Sequence, residues 1–135
     1  MIVVDTSALM AILRREPEAE DCRRAIATED DVRISAVTLA EALIVADSRG
    51  SGIQMRMLVK QLGIEVVPVT AVRVEHVAEA NQRWGKGHHP AGLNFGDCFA
   101  YALAKELVCP LVFIGNDFAR TDVARASTIT PDTTG

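Results

Sequence analysis

Asp5, Glu41, Asp97 and Asp117 lie far apart in the chain, yet each stands at or just beyond a short apolar run. Carboxylates gathered in one cleft repel one another, and a cation is the usual remedy. Oxygen-only ligand sets suit the hard divalent ions Mg²⁺ and Mn²⁺. An ion held this way commonly serves phosphate-ester chemistry: it polarises a phosphoryl oxygen and activates a water. Each acid also has a plain structural alternative. Asp5, followed by Thr6 and Ser7, could simply cap a helix. Glu41 ends the string Thr38-Leu39-Ala40-Glu41, which matches a capping box. A helix begun at Ser35 would instead bury Glu41 among Leu39, Ala40, Ala42 and Leu43, where an unpaired carboxylate is costly. Asn94 could cap a helix with Asp97 at its N3 position, favoured by the helix dipole. Gly115-Asn116-Asp117 is ordinary turn chemistry. Singly the four signals are weak; their common placement joins them into one metal-site candidate.

That placement depends on the elements. β-branched runs predict strands over 2–4, 32–34, 64–67 and 111–114. Helical patterns predict helices over 7–15, 17–28, 35–48, 51–62, 71–84 and 96–107. Gly63 and Gly85 stop two of them, and Pro17 and Pro110 punctuate the chain. Strands that are apolar throughout and alternate with helices imply a parallel sheet covered on both faces. The expected fold class is therefore α/β, in a single domain over 1–135. In such sheets ligands gather at the carboxyl ends of the strands, where all four acids are expected.

The composition permits this and also argues against it. A chain of 135 residues with 49% hydrophobic side chains can bury a core, and with only 4% aromatics that core must be aliphatic. A net charge of −4 is the wrong sign for nucleic-acid binding. A bound divalent ion would reverse the local field, and Arg14, Arg15, Lys86, His88 and His89 could then track a polyanion. Their plain alternative is solvated surface. Cys22, Cys98 and Cys109 are odd in number and lack C-x-x-C spacing, which points away from disulfides and zinc and toward a reduced, cytoplasmic protein. No basic-then-apolar leader and no run of membrane-spanning length is evident, so neither a signal peptide nor a membrane partner is expected. The Thr-rich stretch over 128–135 reads as a tail or a last edge strand.

Four blocks of this chain, in order, resemble the PIN-domain proteins of the VapC type, the toxin half of bacterial toxin–antitoxin pairs. They are Met1-Ile-Val-Val-Asp5-Thr6-Ser7-Ala8-Leu9, Ile34-Ser35-Ala36-Val37-Thr38-Leu39-Ala40-Glu41, Leu93-Asn94-Phe95-Gly96-Asp97-Cys98-Phe99-Ala100, and Phe113-Ile114-Gly115-Asn116-Asp117-Phe118. The resemblance implies a three-layer α/β/α sandwich around a central parallel sheet, and a Mg²⁺- or Mn²⁺-dependent endoribonuclease. It implies that Asp5, Glu41, Asp97 and Asp117 carry the metal, supported by Ser7 or Thr6. It also implies an RNA substrate, a VapB-type antitoxin that plugs the cleft, and a homodimer. An apolar stripe on Ile53, Met57, Leu58 and Leu62 could serve an interface or simply pack in the core. One departure stands out: many members carry a further acid where this chain has Gly115, which leaves the fourth acidic position to Asp117, with Asp122 as a substitute.

Three competing enzyme classes fall away. A haloacid-dehalogenase-type phosphatase needs a second Asp at Ser7, a dinucleotide fold needs a glycine-rich turn after the first strand, and no His motif accompanies Cys98. The remaining alternative is a catalytically silent PIN-like module that binds RNA or protein.

Overall fold

The computed structural model describes residues 1–126, so the expected tail over 128–135 lies outside the described residues. Four strands, β1 (Ile2–Val4), β2 (Val32–Ser35), β3 (Glu65–Val67) and β4 (Leu111–Val112), form a wholly parallel sheet in the order β3-β2-β1-β4. The helices are α1 (Thr6–Leu13), α2 (Ala19–Ala27), α3 (Ala36–Ser48), α4 (Gly52–Gln61), α5 (Ala71–Trp84) and α6 (Phe95–Glu106), followed by a short 3-10 turn, Phe118–Arg120.

The period-two alternation of a strand sorts the core into two layers. Ile2 and Val4 point into one cluster with Leu9 and Ile12 of α1, Ile26 of α2, Ala42 and Ala46 of α3 and Met55 of α4. Val3 points the other way, into a cluster with Ala80 of α5 and Tyr101 and Leu103 of α6. Helices thus cover both faces of the sheet, as the apolar strands demanded. Burying each β1 side chain contributes about 2 kcal/mol, so a charge at Val3 would be hard to tolerate.

Two expectations need correction. β3 is an edge strand, not buried on both faces: among the described residues no strand pairs beyond it, and the Glu65 and Val66 side chains are exposed. The strand expected over 111–114 pairs only at Leu111 and Val112, because its neighbour β1 stops there and turns into α1. The outer edge of β4 is covered by residues 124–126: Leu111 N–H donates to the Ala124 carbonyl and Ala126 N–H to the Leu111 carbonyl, at 2.9 Å each.

Because β2 and β4 flank β1 on opposite sides, the chain changes direction across the sheet beside β1, which opens a crevice at the carboxyl ends of β1 and β4. α6, buried on every residue from Cys98 to Ala104, aims its N-terminus at that crevice. At its other end the chain turns sharply: Cys109 N–H closes on the Ala104 carbonyl at 3.0 Å, which forces Val108 to φ +51. Val108 is 89% exposed, so a strained β-branched residue sits there with no packing in return. Val108→Gly should therefore raise unfolding free energy by about 1 kcal/mol in urea denaturation; an unchanged or lower midpoint would count against the strain.

Candidate active site

β1 delivers Asp5 to the sheet edge and α1 starts on it. Asp5 is only 4% exposed. Its Oδ2 accepts from Ser7 Oγ at 2.7 Å and from Ser7 N at 3.0 Å, so it does serve as the N-cap. Ser7 Oγ in turn accepts from Ile114 N at 3.0 Å, tying the end of β4 to the carboxylate on β1. Burial pushes the Asp5 carboxyl above its ordinary range, the Ser7 hydrogen bonds pull it back, and the charge of Glu41 adds to the rise.

α3 begins at Ala36 with Ser35 as its cap residue, so Glu41 lies inside the helix and the capping-box reading does not apply. Thr6 Oγ1 donates to Glu41 Oε1 at 2.7 Å and also touches the Thr38 carbonyl at 3.1 Å. The other carboxylate oxygen lies over the first turn of α6. A Cβ placed on Gly96 would stand 2.5 Å from Glu41 Oε2, so glycine is what lets the two elements meet. The sequence reading did not give Gly96 this role; the available signal was a glycine inside an apolar helical pattern, which marks close approach.

Asp97 also performs the duty its plain alternative assigned. Asn94 Oδ1 accepts from Asp97 N at 2.8 Å, and Asp97 Oδ2 accepts from Asn94 N at 3.0 Å, a complete capping box. The box uses one carboxylate oxygen and fixes the direction of the other. Burial pushes Asp97 from 3.8 to about 6; the Asn94 bond opposes this, and the charges of Asp5, Asp117 and Glu41 add to it. Contacts bring the acids to one edge: Glu41 lies against Gly96, the residue before Asp97, Thr6 beside Asp5 holds Glu41, and Ser7 binds the Ile114 amide three residues before Asp117. Asp117 begins the 3-10 turn, but its side chain makes no cap hydrogen bond, so turn chemistry does not use its carboxylate.

The other candidates separate from this group. Asp122 accepts from Tyr101 Oη and lies 3.3 Å from Lys105 and 3.6 Å from Arg83. Burial alone would raise its carboxyl, but these partners outweigh it and hold it below the usual range. It is a structural lock. Arg14 pairs weakly with Glu16, at 3.7 Å. Arg14 and Arg15 follow the C-terminus of α1, roughly 12 Å from Asp5 at the rise of a helix, which leaves them as surface charges. His89 packs on Trp84 and accepts from Ala91 N at 2.9 Å, so it holds its own loop. Leu58 is core and Leu62 packs on the core, which leaves Ile53 and Met57 as the exposed part of the expected stripe.

Among the described residues no Lys, Arg or His forms an ion pair with Asp5, Glu41, Asp97 or Asp117. Nor is any group of three or more His, Cys, Asp or Glu among them closed up tightly enough to grip an ion. Ser7, Thr6 and Asn94 hold three of the four acids by hydrogen bonds. The donor chemistry, all oxygen with no internal cation, fits a hard divalent ion.

A parallel sheet between helices, with carboxylates over its strand ends, defines a class: the PIN-domain family description matches residues 2–124. The chain is 42% identical over 126 residues to a protein from Mycolicibacterium smegmatis named Ribonuclease VapC, covering 91% of this chain and 98% of that one. It therefore belongs to the PIN-domain family, among the VapC ribonucleases. Its fold is similar to VapC20 of Mycobacterium tuberculosis, described as a sarcin–ricin loop cleaving toxin (TM-score 0.77, 19% identity, 94% and 99% of the two chains covered). It is also similar to a chain in a toxin–antitoxin complex from Klebsiella pneumoniae (TM-score 0.69, 18% identity, 90% and 93% covered).

Two outcomes follow from the geometry. Asp97 binds its proton more tightly folded than unfolded, so its contribution to stability is full below the ordinary aspartate range and is lost as pH rises through about 6. The melting temperature in chelator should fall between pH 5 and pH 7.5, and Asp97→Asn should flatten that fall; an equal slope in both proteins would refute the assignment. Gly96→Ala should destabilise the wild-type chain, yet stabilise an Glu41→Ala chain by about 1 kcal/mol through helix propensity. The same sign in both backgrounds would show that Glu41 does not press on Gly96.

Proposed function

We propose that the protein is a Mg²⁺- or Mn²⁺-dependent endoribonuclease, the toxin of a VapBC-type pair. The observation that carries this is geometric: the Thr6 and Ser7 hydrogen bonds and the Glu41–Gly96 contact draw Asp5, Glu41 and the α6 start that bears Asp97 to one sheet edge, and among the described residues no cationic side chain pairs with them. Asp5 and Asp97 would hold the ion, with Glu41 and Asp117 in support. Such an ion supplies Lewis-acid polarisation of a phosphoryl oxygen and an activated water. The chain's own groups do the positioning. Ser7 fixes the Asp5 carboxylate and links it to β4. Thr6 orients Glu41, and the Asn94 box aims Asp97. The reaction is hydrolysis: water oxygen bonds to phosphorus as one P–O ester bond breaks, and the leaving oxygen takes a proton.

The same reading gives RNA as substrate, a VapB-type antitoxin as partner, a homodimer as assembly and the cytoplasm as compartment. Its support is the family membership and the toxin–antitoxin complex from Klebsiella pneumoniae among the similar folds. Among the described residues no helix is long and apolar enough to cross a membrane.

Purified protein should fragment total RNA with Mn²⁺ or Mg²⁺, stop on adding chelator, and lose the activity in Asp5→Asn and Asp97→Asn, read on sequencing gels. Identical fragments from wild type and variants would remove the nuclease reading. RNA retention without any cleavage would favour the silent binding module.

A further inference from the structure

Phe95 is the first residue of α6, two positions before Asp97, and it is 73% exposed. Its ring is not loose: it stands edge-on to Phe99, with centroids 5.0 Å apart and planes at 68°. It forms one wall of an open groove of about 650 Å³ between α5 and α6, whose apolar lining includes Val77, Leu93 and Phe99. Three polar side chains reach the same groove, Asn81, Lys86 and Asn94, and of these only Lys86 is charged. Asn94 is the partner of Asp97 in the capping box, so the groove and the acidic cluster share a wall. Lys86 is exposed, and among the described residues no carboxylate pairs with it.

We propose that this groove is a nucleobase subsite, in which Phe95 stacks a base of single-stranded RNA next to the scissile phosphate and Lys86 meets a neighbouring phosphate. The inference rests on the nuclease reading above and deepens it. An aromatic ring left in water contributes little to the fold, and a helix start has no need of one. Every base offers a π face to such a ring, and single-stranded RNA is held largely by stacking beside a cation. Continuity with the acidic cluster and the unpaired positive charge of Lys86 select a polyanion that carries flat apolar rings. They are weaker arguments for an apolar helix or a second copy of this chain.

The test uses full-length protein in an Asp5→Asn background, so that RNA is not consumed. A fluorescein-labelled twelve-nucleotide single-stranded RNA is titrated with Mn²⁺ present, and binding is read by anisotropy. Phe95→Ala should weaken binding about tenfold and Phe95→Trp should restore it, as expected for one stacked base. Replacing one particular nucleotide with an abasic residue should weaken the Phe95 protein by a similar factor and leave the Phe95→Ala protein unaffected. In the wild-type background Phe95→Ala should raise KM while kcat stays nearly constant. Unchanged affinity in Phe95→Ala, with wild type still cutting RNA, overturns the subsite and spares the nuclease reading. No RNA binding and no cleavage by wild type overturns both. Conversion of a wild-type dimer to monomer by Phe95→Ala in light scattering assigns the groove to a second copy and also overturns the subsite.

Discussion

The concentration of negative charge over the ends of β1 and β4 is the constraint on which the rest of this structure depends. Asp5 is almost wholly buried, and Asp97 is pushed to about 6 by burial and by its three acidic neighbours. In isolation these groups would cost stability, because burial strengthens repulsion and removes water. They stay ionisable and in place because each is held by a donor from its own neighbourhood: Ser7 for Asp5, Thr6 for Glu41, Asn94 for Asp97. The arrangement stores an unfavourable field that a divalent ion would relieve. This links the polar design of the cleft to the proposed chemistry.

Helix capping and catalysis are often offered as rival explanations of an acid at a helix start. Here the two acids proposed to hold the ion are also helix caps. Asp5 caps α1 and Asp97 completes the box of α6. In each case capping occupies one oxygen and orients the carboxylate as a whole. Rigid elements place functional groups more accurately than loops do. Glu41 depends on a different device, the bare Cα of Gly96, which lets α3 and α6 approach closely enough for a carboxylate to fit between them.

The acidic balance of the chain also finds a physical place. Much of the remaining negative charge is spent in pairs away from the crevice. Asp122 is held by Tyr101, Lys105 and Arg83, Glu106 by Arg73, and Asp47 by Arg56. The exposed Arg56–Asp47 pair contributes little stability, whereas Asp122 is also held by the part-buried Tyr101 hydroxyl. Among the described residues this leaves the cluster near Asp5 without a paired counter-charge, while Lys86, unpaired among them, lines the adjoining groove.

Much of this was legible in the chain itself. Apolar strands without alternation implied a parallel sheet with two covered faces, which follows from local pattern that a sequence carries directly. Asp5 and Asp117 could be named because they follow the first and last strands, whereas Glu41 lies inside α3 and Asp97 starts a helix that follows α5 with no strand before it, so packing and not a strand end carries those two to the same edge. Other features rested on contacts between residues distant in sequence. Nothing local showed that Ser7 would bind the Ile114 amide, that Gly96 would lie against Glu41, or that Asp122 would be drawn to Tyr101 and away from the cleft. Nor could spacing tell that Leu58 packs inward while Ile53 and Met57 face water. The sequence by itself determined which residues could make a site and the edge on which they gather. Only the tertiary structure decided which of them share a field, because Coulomb and contact energies depend on distance in space and not on separation along the chain.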